Sequence, residues 1–203
     1  MKQLKYSLIC EDIAHETFIE TVLPLFGRQS KVSFDFIFDS VFFYRFRSRN
    51  SKDVLKSYAD AGVVAFRDYN LDLLLIGVDY DDRDRNAFNN EIGSLYKDIN
   101  EKIRDKSVIF FPVQAIEHWL LFIKFRIENP KSTKNISSDI EKIIRKKAKT
   151  DFFGESRISK DEQKKMIADI VKQIDIKWLL SRSASFKRFY SDFNIFLTQT
   201  SKQ

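Results

Sequence analysis

The feature that most restricts the fold is a nearly continuous apolar segment, Leu71 to Val78, which reads LDLLLIGV. It is the clearest strand signal in the chain, and it runs directly into a turn rich in acidic residues. A strand that is apolar along almost its whole length is typical of a parallel sheet covered by helices on both faces. The segment therefore predicts a central, fully buried strand of an α/β domain.

Strand and helix patterns alternate on either side of this segment. Short apolar strands are predicted over Leu4–Cys10 and Ser107–Phe111, and Val32–Phe46 predicts a strand or a hairpin. Apolar residues at helical spacing predict four helices, over Ile13–Phe26, Ser51–Phe66, Asn86–Arg104 and Val113–Ile127. We expect Gly27 to end the first helix and Ser51 to cap the second. Such alternation predicts a three-layer α/β core with right-handed crossovers.

The character of the sequence changes after Pro130. The following segment is rich in Lys and Ser, has no clear strand, and contains two amphipathic stretches, Ser138–Lys149 and Lys160–Trp178. The last segment, Ser183–Thr198, predicts an aromatic helix. We therefore expect an α/β core over residues 1–130, with a mainly parallel central sheet. A basic helical extension over residues 131–203 is expected to pack on it.

Composition excludes several classes of protein. Hydrophobic residues make up 43% and charged residues 32% of the 203 residues, which excludes a disordered chain. The single cysteine excludes a disulfide framework and a cysteine-based zinc site. Neither a signal peptide nor an apolar run of membrane-spanning length is apparent, so we expect a soluble, cytoplasmic protein without a membrane partner. The net charge of +6 permits a polyanionic partner.

Acidic residues follow the predicted strands. Glu11 ends the first strand, Asp79 and Asp81 end the central one, and Glu117 lies near the start of the helix after the SVIFFP segment. In open α/β sheets, ligands bind at the carboxyl ends of the strands. Several carboxylate oxygens without His or Cys suit a hard cation, Mg²⁺ or Mn²⁺. Taken one at a time, the same residues are equally typical of turns and helix caps.

Three segments of the chain resemble the Toprim family, most closely its small stand-alone members of RloB type and of overcoming-lysogenization-defect type. Residues 9–18 read ICEDIAHETF, where those proteins often carry Cys-Glu-Gly-x-x-Thr-Glu-x-x-Phe after a strand. Residues 112–121 read PVQAIEHWLL and match a Pro-x-x-x-x-Glu-x-Trp-Leu-Leu element. Residues 183–189 read SASFKRF and match a Ser-x-Ser-Phe-x-x-Phe element. The family glycine after the first Glu is Asp12 here.

The resemblance implies a Toprim-like three-layer sandwich and metal-dependent chemistry on phosphodiesters. Asp79 and Asp81 would hold the metal, with Glu117 as a further ligand directly or through water. Glu11 would act as general base or acid, or share a second metal. These four residues are the predicted catalytic and metal-binding set. The cofactor implied is Mg²⁺ or Mn²⁺, because five carboxylates, with Asp12 included, would otherwise repel a polyanion.

Other residues are candidates for substrate binding or for support of the site. Arg83 and Arg85 follow the acidic turn, where a guanidinium can clamp a phosphate, although pairing with Asp82 and Asp84 is an equal alternative. The C-terminal motif adds Ser185, Lys187 and Arg188 as nucleic-acid ligands. Secondary candidates near the acids are Asp12, Glu16, Asp84 and His118.

Three residue groups have a simpler alternative reading. His15 and His118, though close to the acids in sequence, are more typical of surface or core histidines. The basic run from Lys142 to Lys149 is equally typical of a nucleic-acid contact and of a solvated helix face. Cys10 lies within a strand pattern, so we expect a buried packing residue rather than a nucleophile.

The function expected from the resemblance is a metal-dependent nuclease acting on DNA or RNA, as the effector of an anti-phage (antiviral defence) or mobile-element system. A P-loop ATPase is the expected protein partner, and a homodimer is left open. Two alternatives remain. One is a catalytically inactive Toprim-like module that binds nucleic acid or a partner, which the Asp12 departure favours. The other is a phosphohydrolase or phosphotransferase acting on a small molecule through Asp79 and Asp81.

Overall fold

A computed structural model describes residues 2–30, 32–48, 50–80 and 85–202, with the backbone alone at 85 and 86. Its centre is a four-stranded, all-parallel sheet in the order β2-β1-β3-β4. The strands are β1 (Lys2–Cys10), β2 (Phe34–Phe38), β3 (Leu73–Gly77) and β4 (Ser107–Phe110). The predicted α/β class with a mainly parallel sheet is confirmed. Because the chain passes from β1 to β2 on one side and then to β3 on the other, β1 and β3 flank the topological switch point.

Helices connect the strands and cover both faces of the sheet. In the first half of the chain they are α1 (Ile13–Gln29), α2 (Ser40–Arg45), α3 (Ser51–Asp68), α4 (Arg85–Asp98), α5 (Glu101–Arg104) and α6 (Ile116–Glu128). The rest are α7 (Ser137–Glu141), α8 (Arg145–Phe153), α9 (Lys160–Val171), α10 (Ile176–Leu180) and α11 (Ala184–Thr200). Among the helices of the described ranges, none combines the length and the apolar character that a membrane crossing requires.

The strands supply two hydrophobic cores because alternate side chains point to opposite faces. On one face Leu8, Leu75 and Phe110 pack with residues of α1, α6 and the C-terminal helices. On the other face Ile9 and Ile76 pack with residues of α3 and α4. The central strand β3 is buried over its whole length, as its apolar sequence predicts.

The C-terminal helices belong to the first of these cores. Phe186 and Phe189 of α11 lie against Trp119 of α6, with ring centroids 5.3 and 5.9 Å apart. The Trp119 indole N–H donates to the Ser185 hydroxyl at 2.9 Å. The helical region after residue 130 therefore shares one apolar cluster with the α/β core.

Several predicted limits are wrong for identifiable physical reasons. Helix α1 continues through Gly27 to Gln29. Gly27 serves close packing instead of ending the helix, because a Cβ there would lie 2.8 Å from the Phe36 ring of β2. The second half of Val32–Phe46 is the helix α2, capped by Asp39, whose carboxylate accepts the Phe42 N–H at 2.8 Å.

Other predicted helix boundaries also differ from the observed ones, either at the first residue or by an interruption within the helix. Asn50, rather than Ser51, caps α3. Helix α6 begins at Ile116 instead of Val113, because Val113 pairs with Tyr80 as a continuation of the sheet. The stretches predicted over Asn86–Arg104, Ser138–Lys149 and Lys160–Trp178 are each divided into two helices.

Candidate metal centre

Glu11, His15 and Asp79 form a compact group at the switch point of the sheet. Glu11 directly follows β1, and Asp79 lies two residues beyond the end of β3. One ligand atom from each of the three residues lies within 4.8 Å of the others, and all three residues are buried. The predicted convergence of Glu11 and Asp79 is therefore present, and His15 joins them.

Glu11 is fixed by donors from two other elements. The Ser51 hydroxyl, at the start of α3, donates to Glu11 Oε2 at 2.7 Å. The Arg145 guanidinium, at the start of α8, donates to Glu11 Oε1 at 3.0 Å. Burial opposes ionisation of Glu11, but hydrogen bonding with Asp79, the His15 charge, the Ser51 hydrogen bond and the Arg145 charge outweigh it and lower the pKa.

Asp79 ties the central strand to α6. The N-cap residue of α6 is Ala115, whose side chain cannot accept a hydrogen bond from the first backbone N–H groups of the helix. Instead Asp79 Oδ1 accepts the Ile116 N–H at 3.0 Å. The carboxylate is almost entirely buried, and that burial raises the pKa of Asp79 to about 8, against the opposing effect of His15.

His15 lies between two carboxylates. Its Nδ1 is 2.9 Å from Asp12 Oδ1, and its Nε2 is 3.0 Å from Asp79 Oδ1. The side chain is fully buried, which lowers the pKa of the imidazole, but Asp79 and Asp12 outweigh this effect and hold the pKa well above its usual range.

Asp12 is a helix cap as well as a neighbour of His15. It precedes α1, and its Oδ1 accepts the backbone N–H groups of Ala14 and His15 at 3.0 and 3.2 Å. Burial opposes ionisation, but the His15 charge and hydrogen bond hold the pKa of Asp12 well below its usual range. Asp12 thus accepts hydrogen bonds from the start of α1.

Two cations from α8 approach the acids. Arg145 Nη2 lies 3.0 Å from Glu11 Oε1 and 2.9 Å from Asp79 Oδ2. One turn later, Lys149 Nζ lies 3.5 Å from Asp12 Oδ2 and 3.6 Å from Glu117 Oε1. Glu117 is buried in the first turn of α6, and burial raises its pKa while the Lys149 charge opposes that effect.

Three buried atoms at this centre make no hydrogen bond with the described residues: His15 Nε2, Asp79 Oδ2 and Glu117 Oε2. The close approaches of His15 to Asp79 and of Arg145 to Asp79 bring atoms together without the alignment that a hydrogen bond requires. Buried polar atoms are rarely left in this state. The converging group of Glu11, His15 and Asp79, in which His15 and Asp79 each keep an unused ligand atom, fits a divalent cation.

A cavity of about 660 Å³ opens beside this centre. Glu11 and Asp12 lie in its wall, Arg47 and Lys160 add two exposed cations, and Tyr44 adds an aromatic ring. Cys10 also reaches this wall but is buried in β1, and burial raises the pKa of its thiol well above the usual range, so it is the expected packing residue.

The other predicted residues occupy separate positions. Asp81, Arg83 and Asp84 lie outside the described residues, as does the side chain of Arg85. Glu16 lines the same cavity as Glu11 and Asp12, but its carboxylate pairs with Lys164 at 2.8 Å. His118 contacts two backbone carbonyl oxygens, that of Ala115 at 3.2 Å and that of Ile143 at 2.7 Å, and so joins α6 to the segment before α8.

The C-terminal motif is placed away from the acids. Ser185 is buried in the core and bonds to Trp119, so it does not lie at the mouth of the site. Arg188 pairs with Asp192 beside Ser107, at the amino end of β4 and hence at the opposite edge of the sheet. Lys187 is exposed on α11. These positions give no support to nucleic-acid binding by the three residues.

Sequence reasoning missed His15 and the two cations as parts of the centre. His15 carries a local signal, since it is the third residue after the cap Asp12, where a side chain turns back towards the cap. Arg145 and Lys149 are spaced four apart on α8, so both lie on one helix face, but nothing in the sequence says which surface that face meets.

Compared with protein-family models, with curated proteins and with solved structures, the chain gives no match. What is established is an α/β fold with a four-stranded parallel sheet in the order β2-β1-β3-β4 and helices at the C-terminal end. It carries a buried Glu11, His15 and Asp79 group that could hold a metal ion.

Proposed function

We propose that this protein is a metal-dependent nuclease of Toprim type, which hydrolyses phosphodiester bonds in DNA or RNA. The observation that carries the proposal is the convergence of Glu11 and Asp79, from the two strands at the switch point, beside buried His15 and Asp79 atoms that make no hydrogen bond with the described residues. The motif resemblance around residues 9–18 and 112–121 adds to it.

Glu11 and Asp79 would hold the cation, and Glu117 would bind it through water. The cation, Mg²⁺ or Mn²⁺, would stabilise the charge that develops on the scissile phosphate and lower the pKa of a water. Glu11 accepts hydrogen bonds from Ser51 and Arg145, so its carboxylate is ionised and can accept a proton. These roles make Glu11 and Asp79 the catalytic residues of the proposal.

The chain's own cations are arranged to bind a phosphate beside the acids. Arg145 has 36% of its side chain exposed and Lys149 44%, so each can reach solvent while touching the buried carboxylates. Arg47 and Lys160 lie further along the cavity wall. A guanidinium binds phosphate oxygens bidentately, so Arg145 would orient the substrate at the metal. The cavity is open to solvent, as an extended polyanion requires.

The test is cleavage of labelled DNA and RNA in Mg²⁺ and in Mn²⁺. We expect cleavage that a chelator stops and that Asp79→Asn abolishes. Asp192→Asn is the matched control, because it removes an acid paired with Arg188 at the opposite edge of the sheet and should retain wild-type cleavage. Cleavage by Asp79→Asn at the wild-type rate would reject the proposal.

A second candidate is a non-catalytic module that binds nucleic acid or a partner. The observation favouring it is that Arg145 and Lys149 already neutralise the acids in the manner of a structural ion-pair network. Nucleic-acid binding without cleavage in either metal, with unfolding temperature unaffected by metal, supports this candidate over the nuclease.

A further inference from the structure

We infer that His15 is a direct ligand of the metal, and that the centre is built for a first-row transition ion of the Mn²⁺ type in preference to Mg²⁺. The inference deepens the proposed function, because it names the class of metal used at the same site. Metal binding is measured without substrate, so it can be tested apart from cleavage.

The position of the imidazole supports ligation. His15 has no solvent exposure, and one ring nitrogen joins ligand atoms of Glu11 and Asp79 in a single group. The nitrogen on the Asp79 side is Nε2. That nitrogen makes no hydrogen bond with the described residues although it lies 3.0 Å from Asp79 Oδ1. A histidine that served only as the cationic partner of Asp79 would direct an N–H at the carboxylate. The missing alignment leaves the His15 Nε2 available to a cation held between His15 and the two carboxylates.

Asp12 sets the imidazole in the form that a metal needs. A carboxylate can only accept a hydrogen bond, so the 2.9 Å contact between Asp12 and His15 places a proton on Nδ1. The Nε2 lone pair is then the one that faces Glu11 and Asp79 once the ring is neutral. A carboxylate behind a ligating histidine is the usual outer support of a metal centre.

Asp12 is itself held in place. Its Oδ1 accepts two backbone N–H groups at the start of α1, and its Oδ2 lies 3.5 Å from Lys149 Nζ. The carboxylate therefore cannot turn away from the imidazole without exposing the helix start. The turn between β1 and α1 therefore holds Asp12 in its supporting position without a metal.

The donor set decides the class of metal. Mg²⁺ selects oxygen ligands and keeps several waters, whereas imidazole nitrogen suits first-row transition ions. A centre of two carboxylates and one imidazole therefore departs from the all-oxygen Mg²⁺ site that the family resemblance implies. Mn²⁺ accepts both kinds of donor and is the suitable probe, because it is paramagnetic.

The experiment is electron paramagnetic resonance of the full chain titrated with Mn²⁺, followed by competition with Mg²⁺. We expect one tightly bound Mn²⁺, weak displacement by a large excess of Mg²⁺, and a nitrogen coupling from the imidazole in pulsed spectra of the wild type. The absence of that coupling in the bound Mn²⁺ would overturn the inference, and it needs no variant that might fold poorly.

Variants then test each residue's part. His15→Gln should weaken Mn²⁺ binding by about 100-fold and remove the nitrogen coupling, while Mg²⁺ affinity is unchanged. Asp12→Asn should weaken Mn²⁺ binding by about tenfold while the coupling persists. Glu16→Gln is the control, because it removes the neighbouring acid, which pairs with Lys164, and should leave Mn²⁺ binding intact. Equal Mn²⁺ affinity in His15→Gln and wild type would contradict ligation.

The two proposals fail separately. Nitrogen-coupled Mn²⁺ in a protein that cleaves neither DNA nor RNA supports the metal assignment and rejects the nuclease. Cleavage in Mg²⁺ with Mn²⁺ bound through oxygen alone rejects the metal assignment and leaves the nuclease standing.

Discussion

Gly77 is the residue at which β3 passes closest to the Phe110 ring of β4. The two residues are paired in the sheet, and a Cβ on Gly77 would lie 2.1 Å from Phe110 Cζ. That ring cannot withdraw easily, because it is buried against Phe189 and the His15 ring. A glycine in a strand interior is otherwise unfavourable, so here it serves close packing.

We expect Gly77→Ala to lower the free energy of unfolding by about 2–3 kcal/mol through overpacking. The matched control is Gly93→Ala in α4, where a new Cβ meets nothing within 4 Å and should stabilise the helix by up to about 1 kcal/mol. Urea denaturation of both variants measures the difference. Equal effects in the two variants would contradict the packing argument.

Asp39 gives a pH dependence of stability away from the candidate metal centre. Burial opposes its ionisation, but the Lys5 hydrogen bond, the Phe42 N–H and the Lys5 charge together lower its pKa. A lowered folded-state pKa stabilises the protein above the unfolded value of about 3.9, and the contribution is lost as the pH falls through the folded-state pKa.

Asp39→Asn keeps an oxygen acceptor for the α2 cap but loses the charge that faces Lys5. We expect it to cost about 1 kcal/mol of unfolding free energy at neutral pH and almost nothing near a pH of about 2. Denaturant titrations at both pH values test this. A penalty that persisted in acid would show that the cap, rather than the charge, is what the substitution damages.

At the scale of elements, α8 supplies the cations that lie against the acids of the candidate metal centre. It directs Arg145 and Lys149 at acids that belong to three other segments. His118 contacts the Ile143 carbonyl oxygen two residues before Arg145, which fixes where the helix begins. The same helix carries the exposed Lys147, which pairs with Asp151 and faces away from the centre.

Arg145→Gln leaves Glu11 and Asp79 without a cation that bridges them. We expect the metal-free protein to lose about 1–3 kcal/mol of unfolding free energy, given the partial exposure of Arg145. Mn²⁺ should then raise the unfolding temperature by more than in the wild type, because the guanidinium no longer competes with it. Thermal unfolding with and without Mn²⁺ measures both effects.

Lys147→Gln is the matched control for that prediction, since it removes a cation from the same helix without touching the acids. It should alter neither the metal-free unfolding temperature nor the response to Mn²⁺. A response of Arg145→Gln no larger than that of this control would mean that the guanidinium and the metal do not share the site.

The strand ends could be predicted from the sequence, and with them Glu11 and Asp79, because a buried strand followed by acids is a local pattern. The centre as a whole could not. His15 required the geometry of the Asp12 cap, and Arg145 and Lys149 required the tertiary packing of α8. The helical half of Val32–Phe46 was also missed, because the cap at Asp39 outweighs the strand preference of its aromatic residues.

At the scale of the molecule, the helices after residue 130 complete the core instead of standing apart from it. Phe189 and Phe193 of α11 and Val171 of α9 belong to the same buried cluster as β1 and α6. The division into residues 1–130 and 131–203 is predicted from a change in sequence composition, and it stays a prediction. Because the two regions share this cluster, we expect them to unfold together in one cooperative transition.

The two tryptophans test that expectation, because Trp119 lies in α6 and Trp178 in α10. Trp119→Phe and Trp178→Phe each leave one fluorescent reporter, one on either side of residue 130. We expect each variant's fluorescence transition in denaturant to coincide with its own circular dichroism transition. A fluorescence midpoint that separates from the circular dichroism midpoint in either variant would mean that the two regions unfold independently.

Asp79 has two tasks, since the carboxylate that belongs to the candidate ligand set also closes the first turn of α6. Whatever occupies the centre must therefore share with the helix start a single carboxylate group. Fraying of α6 at Ile116 is therefore coupled to any change at the ligand atoms. The Trp119 indole lies one turn further along the helix, so its fluorescence can report that change.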